Sequence, residues 1–99
     1  MTASFHKISL PSSLTIENVR RVSEGIKAQG LKPGDTLEID AALTEAITTP
    51  GMQLLLSLER TVAPAGGKLA ILRAKTAFTN AFRLAGLEQQ LTKWGKSDG

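Results

Sequence analysis

The sequence predicts a single α/β domain, with a small, mostly parallel sheet and three to four helices. Its 99 residues, of which 41% are hydrophobic, suffice for one domain with one core. The apolar residues follow strand-like and helix-like spacing in turn, in the order strand, helix, strand, helix, strand, helix, helix. Because such alternation implies right-handed crossovers, the sheet is expected to be mostly parallel.

The first half of the chain contains two predicted strands and one predicted helix. Residues 5–10, FHKISL, alternate in polarity and are expected to form a short edge strand, which a proline ends. After a turn at PSSLT, residues 15–29 are expected to form a helix that Gly30 ends. The residues at helical spacing in that stretch are Ile16, Val19, Val22 and Ile26. Residues 36–41, TLEIDA, form the next predicted strand.

A second helix and a third strand are predicted in the middle of the chain. The helix covers residues 50–63 after a short extended or irregular piece, ALTEAI, and Pro64 with two glycines ends it. Residues 68–73, KLAILR, form a nearly continuous apolar run, which is typical of an interior strand covered on both faces.

The C-terminal part is predicted to be helical. Thr76 is the predicted cap of a third helix over residues 77–85, and Leu87, Leu91 and Trp94 share one face of a last short helix. Residues 1–94 would then form the domain and residues 95–99 a disordered tail. The helices are expected to cover one sheet face. The other face would be partly bare, or covered by the first helix or by a partner.

The composition excludes several functional classes. The net charge of +3 comes from scattered basic residues, so no nucleic-acid interface is predicted. The chain has no cysteine, which excludes disulfides and thiolate metal sites and permits a cytoplasmic location. No apolar run is long enough to span a bilayer, and the N-terminus does not resemble a signal peptide. The only histidine, His6, has no companions at metal-ligand spacing, so it is expected at the surface, and no cofactor is predicted.

Three stretches, in this order, resemble the STAS domain of bacterial anti-sigma factor antagonists. The stretch LPSSLTIENV (10–19) is similar to the family's strand, turn and helix. The stretch LEIDAALTEAITTPGMQLLLSL (37–58) resembles its signature strand and the Asp-Ser-Ser-Gly type loop that opens a helix. The stretch GGKLAILRAKTAFTNAFRLAGLEQQL (66–91) resembles its closing strand, helix, glycine and leucine run. The resemblance covers nearly the whole chain.

The resemblance implies a docking module for signal transduction that is not an enzyme. In many members a partner kinase phosphorylates a serine or threonine of the signature loop, and the phosphate blocks docking. Aligned on Gly51, the usual acid falls at Thr48 and the two usual hydroxyl positions fall at Thr49 and Pro50. Pro50 cannot be phosphorylated, so Thr49 and then Thr48 are the candidate phosphoacceptors. The resemblance therefore supports docking more strongly than it supports phosphorylation.

The residues themselves leave three roles open for Thr48-Thr49-Pro50-Gly51. Proline suits the first turn of a helix, and the residue before it is pushed out of the helical region, so Thr49 is the predicted N-cap. The same helix N-terminus would stabilise a phosphate on a threonine. In the third alternative the loop contacts a partner without being modified. The glycine at 51 reflects either a close backbone approach or loop slack.

The predicted partner-binding residues are Pro50, Gly51, Met52, Leu54 and Asp40. Leu54 and Leu58 widen the apolar face of the second helix, and they either pack under the third helix or form an exposed docking rim. Asp40 ends a strand near the predicted functional edge, where its other role is to form a turn. Neither Asp40 nor Glu45 has a recognisable catalytic companion, so no catalytic residue is predicted.

Two functional hypotheses remain at this point. In the first, the protein is a cytoplasmic regulatory module that docks a kinase-like, anti-sigma or signalling protein, with a switch at Thr49 or Thr48. In the second, it is an unmodified structural STAS subunit of a membrane-lipid transporter or of a chemotaxis-like complex. Neither hypothesis predicts membrane insertion, and neither fixes the oligomeric state.

Overall fold

A computed structural model describes residues 3–95 of the chain. Residues 1–2 lie outside the described part, as do residues 96–99, which make up most of the predicted tail. The elements confirm the predicted order and add two short strands. They are β1 (Phe5–Ser9), β2 (Ser13–Leu14), α1 (Val19–Lys27), β3 (Thr36–Asp40), β4 (Ala46–Ile47), α2 (Thr49–Val62), β5 (Lys68–Leu72), α3 (Thr76–Leu84) and α4 (Glu88–Gly95), with a 3₁₀ turn at Pro64–Gly66 between α2 and β5.

The main sheet has three parallel strands in the order β1-β3-β5. Its register places Ile8, Ile39 and Ile71 side by side in one buried row. The prediction of an interior strand at residues 68–73 is wrong, because β5 lies at an edge of this sheet and β3 lies in the centre. Burial alternates along β5: Leu69 and Ile71 are buried, whereas Ala70 and Leu72 are half-buried. Helix α4 packs beside the strand. The apolar run is therefore nearly continuous although β5 is an edge strand.

A second sheet of two short parallel strands, β2 and β4, extends the fold beyond the carboxyl ends of β1 and β3. The register pairs Leu14 with Ile47. The buried Thr44 hydroxyl donates to the Pro11 carbonyl oxygen at 2.8 Å, and the Glu45 N–H donates to the Ser12 carbonyl oxygen at 2.7 Å. Two-residue strands are too short for a periodic pattern, so the sequence indicated only a turn at PSSLT and an extended or irregular piece at ALTEAI. The end of that piece is extended in the structure, as β4.

Helix α1 begins four residues later than predicted, at Val19. The Asn18 side chain accepts a hydrogen bond from the Thr15 N–H at 2.9 Å and donates one to the Ser13 carbonyl oxygen at 2.7 Å. These bonds hold residues 15–18 in a turn, so the helix begins only after it. Ile16, one of the four residues at helical spacing in the predicted helix, is 70% exposed. The predicted end is confirmed, since Gly30 follows the helix with φ +74°.

Helix α2 packs between the sheet and α1. Leu55 and Val62 are fully buried. Leu54 and Leu58 are buried too, and they line a shallow groove together with Ser23 and other residues of α1. The prediction that they pack under the third helix is therefore wrong. They also do not form an exposed rim, because α1 covers them.

Helices α3 and α4 close the domain through three aromatic rings. The Phe82 ring centroid lies 5.2 Å from that of Phe78 and 5.8 Å from that of Trp94, which meets it edge-on. All three side chains are buried, and Leu87 and Leu91 pack against the core beside them, as the sequence predicts. The N-cap of α3 is Lys75, one residue before the predicted cap.

A largely buried contact between a histidine and an aspartate at the amino ends of the strands was not predicted. His6 was expected at the surface, but its ring Nε2 lies 2.9 Å from Oδ2 of Asp35, which is 2% exposed. The Asp35 carboxylate also accepts hydrogen bonds from the backbone N–H groups of Ser4 and Lys32, at 2.8 and 3.0 Å. The Ser4 bond contributes most to the lowered pKa of Asp35, against the opposing effect of burial. Within residues 3–95, no group of three or more His, Cys, Asp or Glu side chains could hold a metal ion.

Candidate functional site

The Thr48–Gly51 loop lies at the far end of the small sheet, directly after β4. The Thr48 N–H donates to the Leu14 carbonyl oxygen at 3.1 Å, which continues the β2–β4 pairing by one residue. The Met52 N–H donates to the Thr48 carbonyl oxygen at 3.1 Å and begins α2. The N-cap is therefore Thr48, in an extended conformation, and Thr49 is the first helical residue. The prediction of Thr49 as the cap was wrong by one residue.

Both threonine side chains of the loop are exposed. Thr48 makes no side-chain capping bond, and Thr49 makes no side-chain hydrogen bond to any other described residue. Pro50, half-buried in the first turn, needs no hydrogen-bond acceptor there because it has no N–H. Both hydroxyls are therefore open to solvent, as a contact or modification site requires.

Gly51 is buried where α2 approaches β2. A Cβ at this position would lie 2.7 Å from the Leu14 carbonyl oxygen and 2.9 Å from its Cγ. Such distances are too short for carbon, and the backbone oxygen cannot rotate away. Of the two roles left open by the sequence, the structure therefore supports close approach. Gly51 seats the helix N-terminus on the small sheet and fixes where the threonines lie.

Gly51→Ala is expected to lower the free energy of unfolding by about 1–2 kcal/mol, since overpacking outweighs the gain in helix propensity. Urea unfolding followed by circular dichroism measures this change. The control is Gly25→Ala in α1, where a Cβ would meet nothing within 4 Å, so only the favourable propensity term remains. A Gly51→Ala protein as stable as the wild type would contradict the close contact.

Two of the predicted partner-binding side chains do not lie at the surface. Met52 is 4% exposed and Leu54 is 9% exposed, and both belong to the main core. Helical spacing alone could not distinguish a docking face from the face that packs on the sheet and on α1. Met52 and Leu54 therefore pack in the core and do not form a contact surface.

Ile16, which lies at helical spacing in the predicted first helix, is an exposed apolar residue at the same end of the molecule. Leu14 and Ile47 are paired in the small sheet. Ile16 follows Leu14 by two residues and Thr49 follows Ile47 by two residues, so both leave the sheet at the same end. The two Asn18 hydrogen bonds fix the turn that carries Ile16. The signal in the sequence was the asparagine at position 18, because asparagine side chains commonly hydrogen-bond to nearby backbone groups and so favour turns and helix starts.

Asp40 is another predicted contact residue. In the structure it has the alternative role that the sequence left open, because its side chain stabilises a turn. Its Oδ1 accepts a hydrogen bond from the Ala42 N–H at 2.9 Å, and its Oδ2 pairs with the Arg73 guanidinium. The hydrogen bond from Arg73 contributes most to the lowered pKa of Asp40. The pair ties the carboxyl end of β3 to that of β5. Nearby, Glu45 pairs with Lys75 at 3.0 Å.

A comparison with protein families identifies the domain. The family model described as "Mlab, STAS domain" matches residues 2–93. The chain belongs to the STAS family. No curated protein and no solved structure matched the chain.

The membership agrees with the α/β architecture, and the matched residues include Thr48–Gly51. STAS domains generally mediate protein interactions. Among the described helices, none has the length and hydropathy needed to cross a membrane.

Proposed function

We propose that this STAS domain is a docking module in the cytoplasm that binds a protein partner through its loop surface. The loop surface is defined as Ile16, Thr48, Thr49 and Pro50. The observation that carries the proposal is the combination of two free threonine hydroxyls with an exposed isoleucine at one end of the fold. The role is non-catalytic, and the ion pairs that engage Asp40 and Glu45 support it.

The loop surface is pre-organised for binding. The β2–β4 pairing, the buried Thr44 and the close contact of Gly51 fix the backbone beneath it. The turn at Asn18 fixes the backbone that carries Ile16. A surface held in this way loses little conformational entropy when a partner binds, so more of the contact energy appears as affinity.

Modification of Thr49 by a kinase-like partner is the regulatory form of this proposal. The first N–H groups of α2 and the helix dipole would stabilise a phosphate on Thr49. The phosphate would add a charge of about −1.5 to −2 to the contact surface and would weaken an apolar contact at Ile16.

The second form is permanent docking without modification, as a structural subunit of a larger assembly such as a membrane-lipid transporter or a chemotaxis-like complex. Two residues favour it, because Pro50 removes the usual acceptor and Thr48 removes the usual acid. Both forms use the loop surface, and they differ in whether the protein gains mass in the presence of a kinase.

Mass spectrometry of the intact protein separates the two forms. The protein is incubated with ATP and with kinases encoded near its own gene. The regulatory form predicts one added phosphate, which is lost in Thr49→Ala and kept in Thr48→Ala. No added phosphate, together with intact binding, supports the structural form.

Partner binding tests the loop surface itself. The partner is identified by pull-down with mass spectrometry and then titrated against purified variants. Ile16→Asp and Thr49→Glu are each expected to weaken binding by at least about tenfold, because an interface excludes an unpaired charge. Thr61→Glu, at the exposed far end of α2, and Leu84→Asp, on α3, are the matched controls. Full affinity in Ile16→Asp and in Thr49→Glu would refute the proposal.

A further inference from the structure

Strand β1 exposes one backbone edge. The Thr36 N–H donates to the Ser4 carbonyl oxygen and the Leu10 N–H donates to the Asp40 carbonyl oxygen, so the even-numbered residues of β1 face β3. Because hydrogen-bonding direction alternates along a strand, the N–H and C=O groups of Phe5, Lys7 and Ser9 point away from the sheet. Within residues 3–95, β1 pairs with no strand other than β3. Three donors and three acceptors are therefore free at this edge.

A groove of about 520 Å³ lies between this edge and α1. Its floor is apolar, and the exposed Leu43 stands among its lining residues. The apolar lining residues are Ile8, Leu10, Pro11, Val22, Ile26 and Leu43. A free strand edge beside a helix-walled apolar groove is the geometry in which proteins accept an added strand: the backbone provides hydrogen bonds and the groove takes alternate side chains.

The α1 wall of the groove has no side chain at Gly25. Glycine inside a helix is destabilising by about 1 kcal/mol relative to alanine. Nothing in the described structure requires it, because a Cβ on Gly25 would meet no heavy atom within 4 Å. Gly25 lies between Arg21 and Gln29 along the groove wall, one helical turn from each. A close approach by another chain would account for this glycine, as Leu14 accounts for Gly51.

The charges at the groove favour an acidic occupant. Arg21 stands at the rim and Lys7 on the free strand, and within residues 3–95 neither forms an ion pair. Glu38 neighbours Lys7 in the sheet register, but it does not come within ion-pair distance. A second copy of this chain that pairs antiparallel about Lys7 is a poor fit, because the two lysines would lie opposite each other. A strand that carries a carboxylate opposite Lys7 has the complementary charge.

We propose that the groove between β1 and α1 binds an extended acidic segment of a partner protein as an added strand. Its alternate apolar side chains enter the groove over Ile8 and Val22. The carboxylates that alternate with those apolar residues lie opposite Lys7, on the sheet face away from α1. A further acidic residue, at the end of the segment, lies beside Arg21 at the rim. This site is separate from the loop surface and does not depend on it.

A display library of random heptapeptides, selected against the full-length protein, provides the probe. The selected peptides are expected to alternate apolar residues with Asp or Glu. In amide hydrogen exchange, the best peptide is expected to protect Phe5, Lys7 and Ser9 at least tenfold, and methylation of its alternate backbone nitrogens is expected to abolish binding. Peptides that are basic, or that leave these three amides unprotected, would overturn the proposal, as would a failure to select any peptide.

Matched variants test the two walls of the groove. Gly25→Leu is expected to melt at or above the wild-type temperature and to weaken peptide binding at least tenfold, so lost binding cannot come from unfolding. Arg21→Glu is expected to weaken binding at least tenfold. Arg20→Glu carries the same charge change outside the groove lining, and Thr49→Glu lies on the loop surface. Both should bind as the wild type does. Wild-type binding in Gly25→Leu and Arg21→Glu would refute the assignment.

Other occupants give distinct results. If the three amides are protected in a dimer and become exposed on dilution, a second copy covers the edge and the proposal fails. If they are protected in the monomer without any peptide, the chain covers its own edge and the proposal also fails. Sedimentation velocity of the samples used for exchange distinguishes these two cases.

Discussion

Phe82→Ala is expected to lower the free energy of unfolding by about 3–5 kcal/mol, which is much of the total for a domain of this size. Phe82 is fully buried and joins the other two aromatic rings, one from α3 and one from α4. Its removal leaves a cavity between those helices, which relaxation fills only in part. Helix α4 should therefore loosen from the sheet. Chemical denaturation measures the loss of stability.

The fluorescence of Trp94 reports on the same change. It is the only tryptophan and is 1% exposed, so its emission should move to longer wavelength as α4 loosens. Leu84→Ala is the matched control in the same helix, because Leu84 is 85% exposed and its loss should leave both stability and emission unchanged. A Phe82→Ala protein within about 1 kcal/mol of the wild type would show that α3 and α4 are not joined through this ring.

Gly67→Ala is expected to destabilise the protein by about 3 kcal/mol or more, at the upper end of overpacking effects. A Cβ there would overlap the Val62 carbonyl oxygen and lie 2.7 Å from the Asp35 carbonyl oxygen. Both atoms already accept hydrogen bonds, from the Gly34 N–H at 2.9 Å and the Lys68 N–H at 3.0 Å. The substitution must therefore separate the end of α2 from the start of β5.

Two measurements test this expectation. Thermal melting gives the size of the loss, and amide exchange at Gly34 and Lys68 shows whether those two hydrogen bonds are the ones that open. Gly25→Ala again serves as the control, since it adds the same methyl group to open space. Gly67→Ala with normal melting and protected amides would mean that the backbone at 62–67 adapts without separating α2 from β5.

Much of the fold could be predicted from the sequence because it depends on local patterns. Alternation in FHKISL and TLEIDA predicted β1 and β3, and the proline and glycine pair at 50–51 predicted the start of α2 to within one residue. The small sheet could not be predicted, because two-residue strands have no period. The late start of α1 has a similar cause, since the Asn18 side chain overrides an apolar spacing that continues back to Ile16.

The candidate site was predicted less completely. The sequence located the exposed threonines, since a proline and a glycine after two hydroxyl residues predict the N-terminus of a helix. It placed Met52 and Leu54 among the contact residues, and burial shows that they belong to the core. It missed Ile16, because an apolar residue at helical spacing is normally buried. His6 was misplaced for a related reason, since its partner Asp35 lies 29 residues away in sequence.

The sequence by itself determined the order of the elements and the position of the loop at Thr48–Gly51, because spacing, proline and glycine act through near neighbours along the chain. Only the tertiary structure decided which apolar residues stay exposed, which edge of the sheet is free and why Gly51 and Gly67 must lack a side chain. Those outcomes depend on contacts between residues distant in sequence, such as Leu14 with Gly51 and Asp35 with Gly67. The spacing of residues along the chain does not show which distant residues come into contact, so these outcomes are set by packing in the folded protein.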